Sequence, residues 1–122
     1  CQWYRGSNWF LQRILQPNER YASFENEIWY AGTIPPEMGN LYQLENLQLP
    51  SNGLNGSIPP GIFNLSALRN IALEFNLLSG NLPRDLGHRL PKLWAMGLQL
   101  NNLGGVIPVS ISTCSTLTFL EL

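Results

Sequence analysis

The chain has 122 residues, 44% apolar and 12% charged, with seven basic residues set against eight acidic ones. That length suits one domain, and the near cancellation of charge argues against nucleic acid or an anionic membrane surface as partner. No run of 18 apolar residues is present, so no segment reads as a membrane-spanning helix.

The opening, CQWYRGSNWF, has neither an initiator Met nor the layout of a signal peptide, and reads as processed or excised. Next, SNWFLQRILQ spaces Trp9, Phe10, Ile14 and Leu15 as one face of a short amphipathic helix, begun by Ser7 or Asn8 and closed by Pro17. From there the chain repeats itself. AGTIPPEMGNL places Gly32, Ile34 and Pro35, and the same types return in the same order as Gly56, Ile58 and Pro59. In SNGLNGSIPP, Asn52, Leu54, Gly56, Ile58 and Pro59 recur as Asn76, Leu78, Gly80, Leu82 and Pro83, then as Asn101, Leu103, Gly105, Ile107 and Pro108. The last interval is one place longer than the two before it. A period of about 24 residues marks a solenoid of stacked turns.

Within one turn, Leu44, Leu47 and Leu49 lead into a short half-buried strand with Leu47 and Leu49 inward and Asn46, Gln48 and Pro50 outward. Asn52 stands where the chain leaves that strand. Its amide carries donors and an acceptor, so stacked copies at Asn52, Asn76 and Asn101 are expected to form a ladder that satisfies turn backbone groups. Gly56, Gly80 and Gly105 suit a bend that a side chain would obstruct. Ile58 and Pro59 read as extended backbone. Ile62, Leu65 and Leu68, spaced by three, predict a short helical or 3₁₀ turn on the outer side. The second copy repeats the inward set with Leu68, Ile71, Leu73, Leu78, Leu82, Leu86 and Leu90; the third uses Leu93, Met96, Leu98, Leu103, Ile107, Ile111 and Cys114. A fourth begins with Leu117, Leu120 and Leu122. The extra residue of the longer copy falls near GHRL, on the convex side.

The pattern L-x-x-L-x-L-x-x-N-x-L-x-G-x-I-P-x-x-I/L-x-x-L resembles the plant-type leucine-rich repeat, from about residue 32 to 122. GTIPPEMGNL, GSIPPGIFNLSALRNI and LPRDLGHRLPKL look most like the ectodomain of a plant leucine-rich-repeat receptor-like kinase. The resemblance implies an α/β solenoid with parallel strands on its concave face and 3₁₀ or short helical turns on its convex face. It also implies an extracellular recognition module, without cofactor or catalytic residues, that binds peptides, proteins or carbohydrates on the concave face, a peptide or protein being the ligand expected here, in a parent protein anchored in the plasma membrane. Polygalacturonase-inhibiting proteins share the repeat, but such an inhibitor needs about twice the repeats and cysteine-paired caps.

Residues 1–30 depart from the pattern. CQWYRG is similar to the Cys-x-Trp-x-Gly opening of these ectodomains, without its second Cys. One period before Leu47, Leu49 and Asn52 come Ser23, Glu25 and Ile28, which do not suit those places; only Tyr30 and Gly32 keep step. A diverged cap, a short covering helix, an unrelated fusion and a poorly determined stretch all remain open. Cys1 and Cys114 fall at opposite ends of the coil, too far apart for the Cα separation of about 7 Å that a disulfide tolerates, so Cys114 is expected as a buried thiol.

The outward strand positions form columns: Asn46, Asn70, Ala95 and Phe119; Gln48, Ala72, Gly97 and Glu121; Pro50, Glu74 and Gln99. Phe75 and Leu100 belong to the rim. The expected ligand-binding set is Asn46, Gln48, Asn70, Ala72, Glu74, Phe75, Gln99 and Phe119. Small residues make the floor flat, which suits a peptide or protein better than a buried small molecule. Whether Phe75 and Phe119 stand free or pack under adjacent turns is open. Asn64 and Asn55 head N-glycosylation triplets, with Asn64 the better exposed. His88, beside Arg84, Asp85, Arg89 and Lys92, reads as part of a solvated convex loop rather than an acid–base or metal site. No metal-ligand spacing, phosphate-binding loop or nucleophile elbow is found, so no enzyme is expected. The final TFLEL presents an open strand edge, which suggests further repeats or end-to-end pairing with another chain, and hence a self-assembling alternative. An ice-binding surface is disfavoured, since Thr113, Thr116 and Thr118 are confined to the last turn.

Overall fold

A computed structural model of the chain describes residues 20–23 and 32–122. The helix expected over residues 7–17, the cap-like opening and Cys1 lie outside the described residues. The rest is a solenoid of stacked turns, as the repeat predicts. Five short parallel strands, β1 (Tyr21–Ser23), β3 (Asn46–Gln48), β5 (Asn70–Ala72), β7 (Ala95–Gly97) and β9 (Phe119–Glu121), build the concave sheet in that order. Their register sets Leu47, Ile71, Met96 and Leu120 in one column and Asn46, Asn70, Ala95 and Phe119 in the next. Strands this short are not stable alone; each is held by its neighbours and by the apolar residue it turns inward.

The inward leucines and isoleucines form one continuous core. Leu44, Leu47, Leu49, Leu68, Ile71, Leu73, Leu90 and Leu93 are almost fully buried, and each contributes on the order of 2 kcal/mol of burial. On the convex side the expected turns are 3₁₀ helices at Pro36–Asn40, Pro60–Asn64 and Val109–Thr113. The extra residue of the longer copy changes the turn type there: Leu86–Arg89 is α-helical, closed by the Leu90 N–H donating to Leu86 O at 3.3 Å. Cys114 is a buried thiol, 3.6 Å from the carbonyl oxygens of Leu90 and Leu93.

The asparagine ladder is present. Asn76 Oδ1 accepts from the N–H groups of Asn52 and Leu54 on the preceding turn, both at 3.0 Å. Its Nδ2 donates to Leu49 O and Leu73 O at 2.9 Å. Asn101 repeats the pattern, accepting from Leu78 N–H at 2.9 Å and donating to Leu73 O at 2.9 Å. Asn52 itself is buried.

Two features differ from the sequence reading. First, the stretches read as bends and extended connections pair into a second parallel sheet, β2 (Gly32–Thr33), β4 (Leu54–Ser57), β6 (Leu77–Asn81) and β8 (Asn102–Gly104). The repeated glycine serves this sheet: Gly56 has a φ of 74°, and a Cβ there would meet Thr33 Cγ2 at 2.9 Å. Secondly, the concave sheet reaches back into residues 1–30. Ala22, not Ser23, is the register partner of Leu47. The step into β1 is therefore one place longer than the common period, and counting back by that period lands one place too late.

The convex turns stack through small residues. Gly39 lies against Gly61, and a Cβ on Gly87 would come within 1.8 Å of Ser110 O. The Gly87 N–H donates to Ser110 Oγ at 3.0 Å, and Ser110 Oγ donates to Arg84 O at 2.7 Å. Two outcomes are expected in denaturant unfolding. Asn76→Leu strands the N–H groups and carbonyls of two turns and costs on the order of 3 kcal/mol; a change below about 0.5 kcal/mol would remove the ladder from this account. Gly87→Ala forces the third and fourth outer turns apart and costs about 1–3 kcal/mol, whereas Gly53→Ala, with open space around it, meets only the backbone cost of its φ of 69°.

Candidate ligand-binding face

The outward columns stand as the spacing predicts. Gln48, Ala72, Gly97 and Glu121 share a column, and the ladder continues past the strands through Ser51 N–H to Glu74 O (3.1 Å) and Phe75 N–H to Gln99 O (3.2 Å). Asn46, Gln48, Asn70, Ala72, Glu74 and Gln99 are half-buried, Ala95 and Gly97 are buried, and the floor between them is low. Phe75 does not pack under a neighbouring turn, with 57% of its surface exposed; Phe119, on the edge strand β9 with only the preceding turn beside it, is 51% exposed. The eight residues of the expected set therefore lie along one face.

Phe75 shares a backbone feature with Ser51 and Leu100. All three have left-handed φ values, 58°, 60° and 61°, although none is a glycine. Each directly precedes a ladder asparagine, so the turn geometry that places the amide inward also holds the preceding side chain at the rim.

The sequence reading missed Trp94 and misplaced Lys92. Trp94 lies one residue before β7, outside the strand alternation from which outward positions were counted, and is 55% exposed. With Arg69, Lys92, Asn46, Asn70 and Thr118 it lines a groove along the edge where the strands begin. Lys92 thus belongs to this edge rather than to the His88 loop. Arg69 is also 3.7 Å from Glu45, which lies 3.8 Å from Arg20 one turn earlier. Both pairs are exposed and contribute little to stability. The signal that finds this edge is the residue preceding each strand, Arg69 and Trp94 among them, a position on the loop side of the pattern.

Further along the strands a second cleft of about 310 Å³ is lined by Asn70, Ala72, Glu74, Trp94, Gly97 and Phe119, among others. Gln99 Nε2 donates to Glu121 Oε2 at 2.6 Å. The face thus has a basic edge at Arg69 and Lys92 and an acidic stretch at Glu74 and Glu121.

On the convex side, Arg89 joins Asp85 at 2.9 Å and donates to Asn64 Oδ1 at 3.0 Å. The hydrogen bond from Arg89 holds the Asp85 carboxyl below its ordinary value. Any stability this exposed pair adds is present above the unfolded-state value and is lost as pH falls through the lowered one. Asn64 closes the 3₁₀ turn and is exposed, as is Asn55 on β4.

The Leucine Rich Repeat family model matches residues 43–65. No curated protein sequence matches the chain significantly. Among solved structures, the LRR ectodomain of the Arabidopsis receptor kinase HAESA, in complex with an IDA peptide hormone ligand, is similar at a TM-score of 0.73 and 33% identity, over 75% of this chain and 15% of that one. The plant peptide hormone receptor RGFR1, in complex with RGF2, is similar at a TM-score of 0.70 and 41% identity, over 75% of this chain and 15% of that one. Pollen Receptor Kinase 3 is similar at a TM-score of 0.67 and 34% identity, over 74% of this chain and 43% of that one. The chain spans less than half the length of each of these relatives.

Proposed function

Because this chain is a leucine-rich-repeat protein built like the ectodomains of plant receptor kinases, we propose that it is a non-catalytic recognition module that binds an extended peptide, or a peptide-like segment of a protein, on its concave face. The observation that carries this reading is the exposure of Phe75, Trp94 and Phe119 over a floor of Ala72, Ala95 and Gly97. Aromatic rings standing free beside small residues give an extended chain apolar contacts, and relatives at 33% and 41% identity that are in complex with peptide hormones support a peptide as ligand. The face is open rather than enclosed, so the ligand is read as long and shallowly bound. The same likeness supports an extracellular position in a receptor.

Two measurements test this. In selection from a displayed library of random dodecapeptides, the chain is expected to enrich peptides whose retention falls by at least about tenfold in Ala72→Arg, which blocks the floor, and is unchanged in the convex Arg84→Ala. Retention that survives Ala72→Arg, with the fold intact by circular dichroism, would place binding elsewhere. An extracellular route also predicts N-glycosylation at exposed Asn64, and at Asn55. Protein secreted from plant cells should lose mass on enzymatic removal of N-glycans, with a smaller loss in Asn64→Gln; an unchanged mass would refute the modification.

A further inference from the structure

Glu74 and Gln99 hold neighbouring outward positions on successive turns, and both carry an acceptor with nothing to accept. Glu74 Oε1 and Gln99 Oε1 are shielded from solvent, and neither has a hydrogen-bond partner among the described residues. Shielded acceptors are nearly always paired in native proteins, because an unpaired one has lost water without replacing it. Glu74 belongs to none of the ion pairs of the described residues, which join Glu45 to Arg20 and Arg69, and Asp85 to Arg89. One N–H of the Gln99 amide donates to Glu121, and its carbonyl oxygen is the buried group left without a partner.

Gly97 makes the arrangement possible. A Cβ at that position would be 3.3 Å from Gln99 Oε1 and 3.3 Å from Glu74 Oε2, so the two side chains lean over bare backbone. The terminal torsions of Glu and Gln are broad, and a modest rotation turns both oxygens from the floor into the cleft. Trp94 and Phe119 line the same cleft. The cleft therefore combines the Glu74 carboxylate with aromatic rings, Gln99 stands beside it over Gly97, and its lining residues include no cationic side chain.

We infer that this cleft is the subsite for an arginine side chain of the bound peptide. A guanidinium has only donors and a permanent charge, which matches a site that offers acceptors. Its planar fork spans two acceptors on successive turns better than a compact ammonium does. Glu74 and Gln99 accept the N–H groups, Glu121 adds negative charge beside Gln99, and Trp94 and Phe119 supply ring faces that attract a cation. The inference rests on the peptide-binding reading and adds to it the chemistry of one ligand position.

The test is a positional-scanning set of N-acetylated, C-amidated dodecapeptides, bound to the full chain and to Glu74→Gln and Glu121→Gln. The expected result is one position at which arginine binds at least about tenfold more tightly than its neutral isostere citrulline. That preference should fall several-fold in Glu74→Gln, less in Glu121→Gln, and weaken with added salt. Peptides that bind without a preference for arginine, with a preference that Glu74→Gln leaves intact, or with a preference for acidic residues would overturn the arginine subsite and leave peptide binding standing. If no dodecapeptide binds, the peptide-binding reading and the subsite both fall. Circular dichroism of the two variants separates lost binding from lost fold.

Discussion

One side-chain amide holds two turns of this coil at once. Asn76 receives two N–H groups from the preceding turn and gives its own N–H groups to the carbonyls of Leu49 and Leu73, on that turn and its own. Leucine burial alone makes an apolar column that is tolerant of sliding, since it is non-directional. The amide is directional, and it sits where the backbone must leave the sheet and where water does not reach. It therefore converts a hydrophobic stack into one with a fixed rise and register, and the strands on both sides inherit that register.

The turn that places the amide inward has a consequence at the surface. Ser51, Phe75 and Leu100 all take the left-handed conformation, a region that β-carbon-bearing residues enter at a cost of roughly 1 kcal/mol or more. Three different side chains accept the same backbone, so the conformation belongs to the repeat and not to the residue. That leaves the side chain at this place free to vary while its position stays fixed. Phe75 is then an aromatic ring held at the rim by a scaffold indifferent to what it carries, which is the condition under which a binding surface can be varied without disturbing the core.

Much of this is legible in the sequence because inward positions recur at a fixed interval. The leucine columns, the asparagine ladder and the outward columns follow from counting, and they stand where counting puts them. What counting misses has no periodic apolar signal. The second sheet forms from stretches such as Leu54–Ser57, where Gly56 and polar residues show no alternation and pairing comes from stacking rather than propensity. The Gly87–Ser110 contact is a clearance between backbones, written only as the absence of a side chain. At β1 the interval is one place longer, and a fixed count steps past Ala22. Trp94 and Lys92 lie outside the strand pattern, on the approach to it. Which of these outward residues touches a ligand is decided by how neighbouring turns shape the space between them, and no single repeat contains that information.

The unpaired oxygens of Glu74 and Gln99 bear on how such a face gains affinity. In most polar sites, part of the cost of binding is stripping water from the groups that will make contact. Here two acceptors are already stripped of water in the free chain, because Gly97 leaves room for them to fold onto the floor. Their desolvation is carried by the stability of the coil, which the ladder and the leucine core sustain. A donor entering the cleft recovers an interaction that the free protein lacks, and it displaces little ordered water from these two atoms. Fold and recognition are thus coupled through one position without a side chain: a Cβ at Gly97 would press on both side chains, 3.3 Å from Gln99 Oε1 and from Glu74 Oε2, and shift them by a few tenths of an ångström, while leaving every inward residue in place.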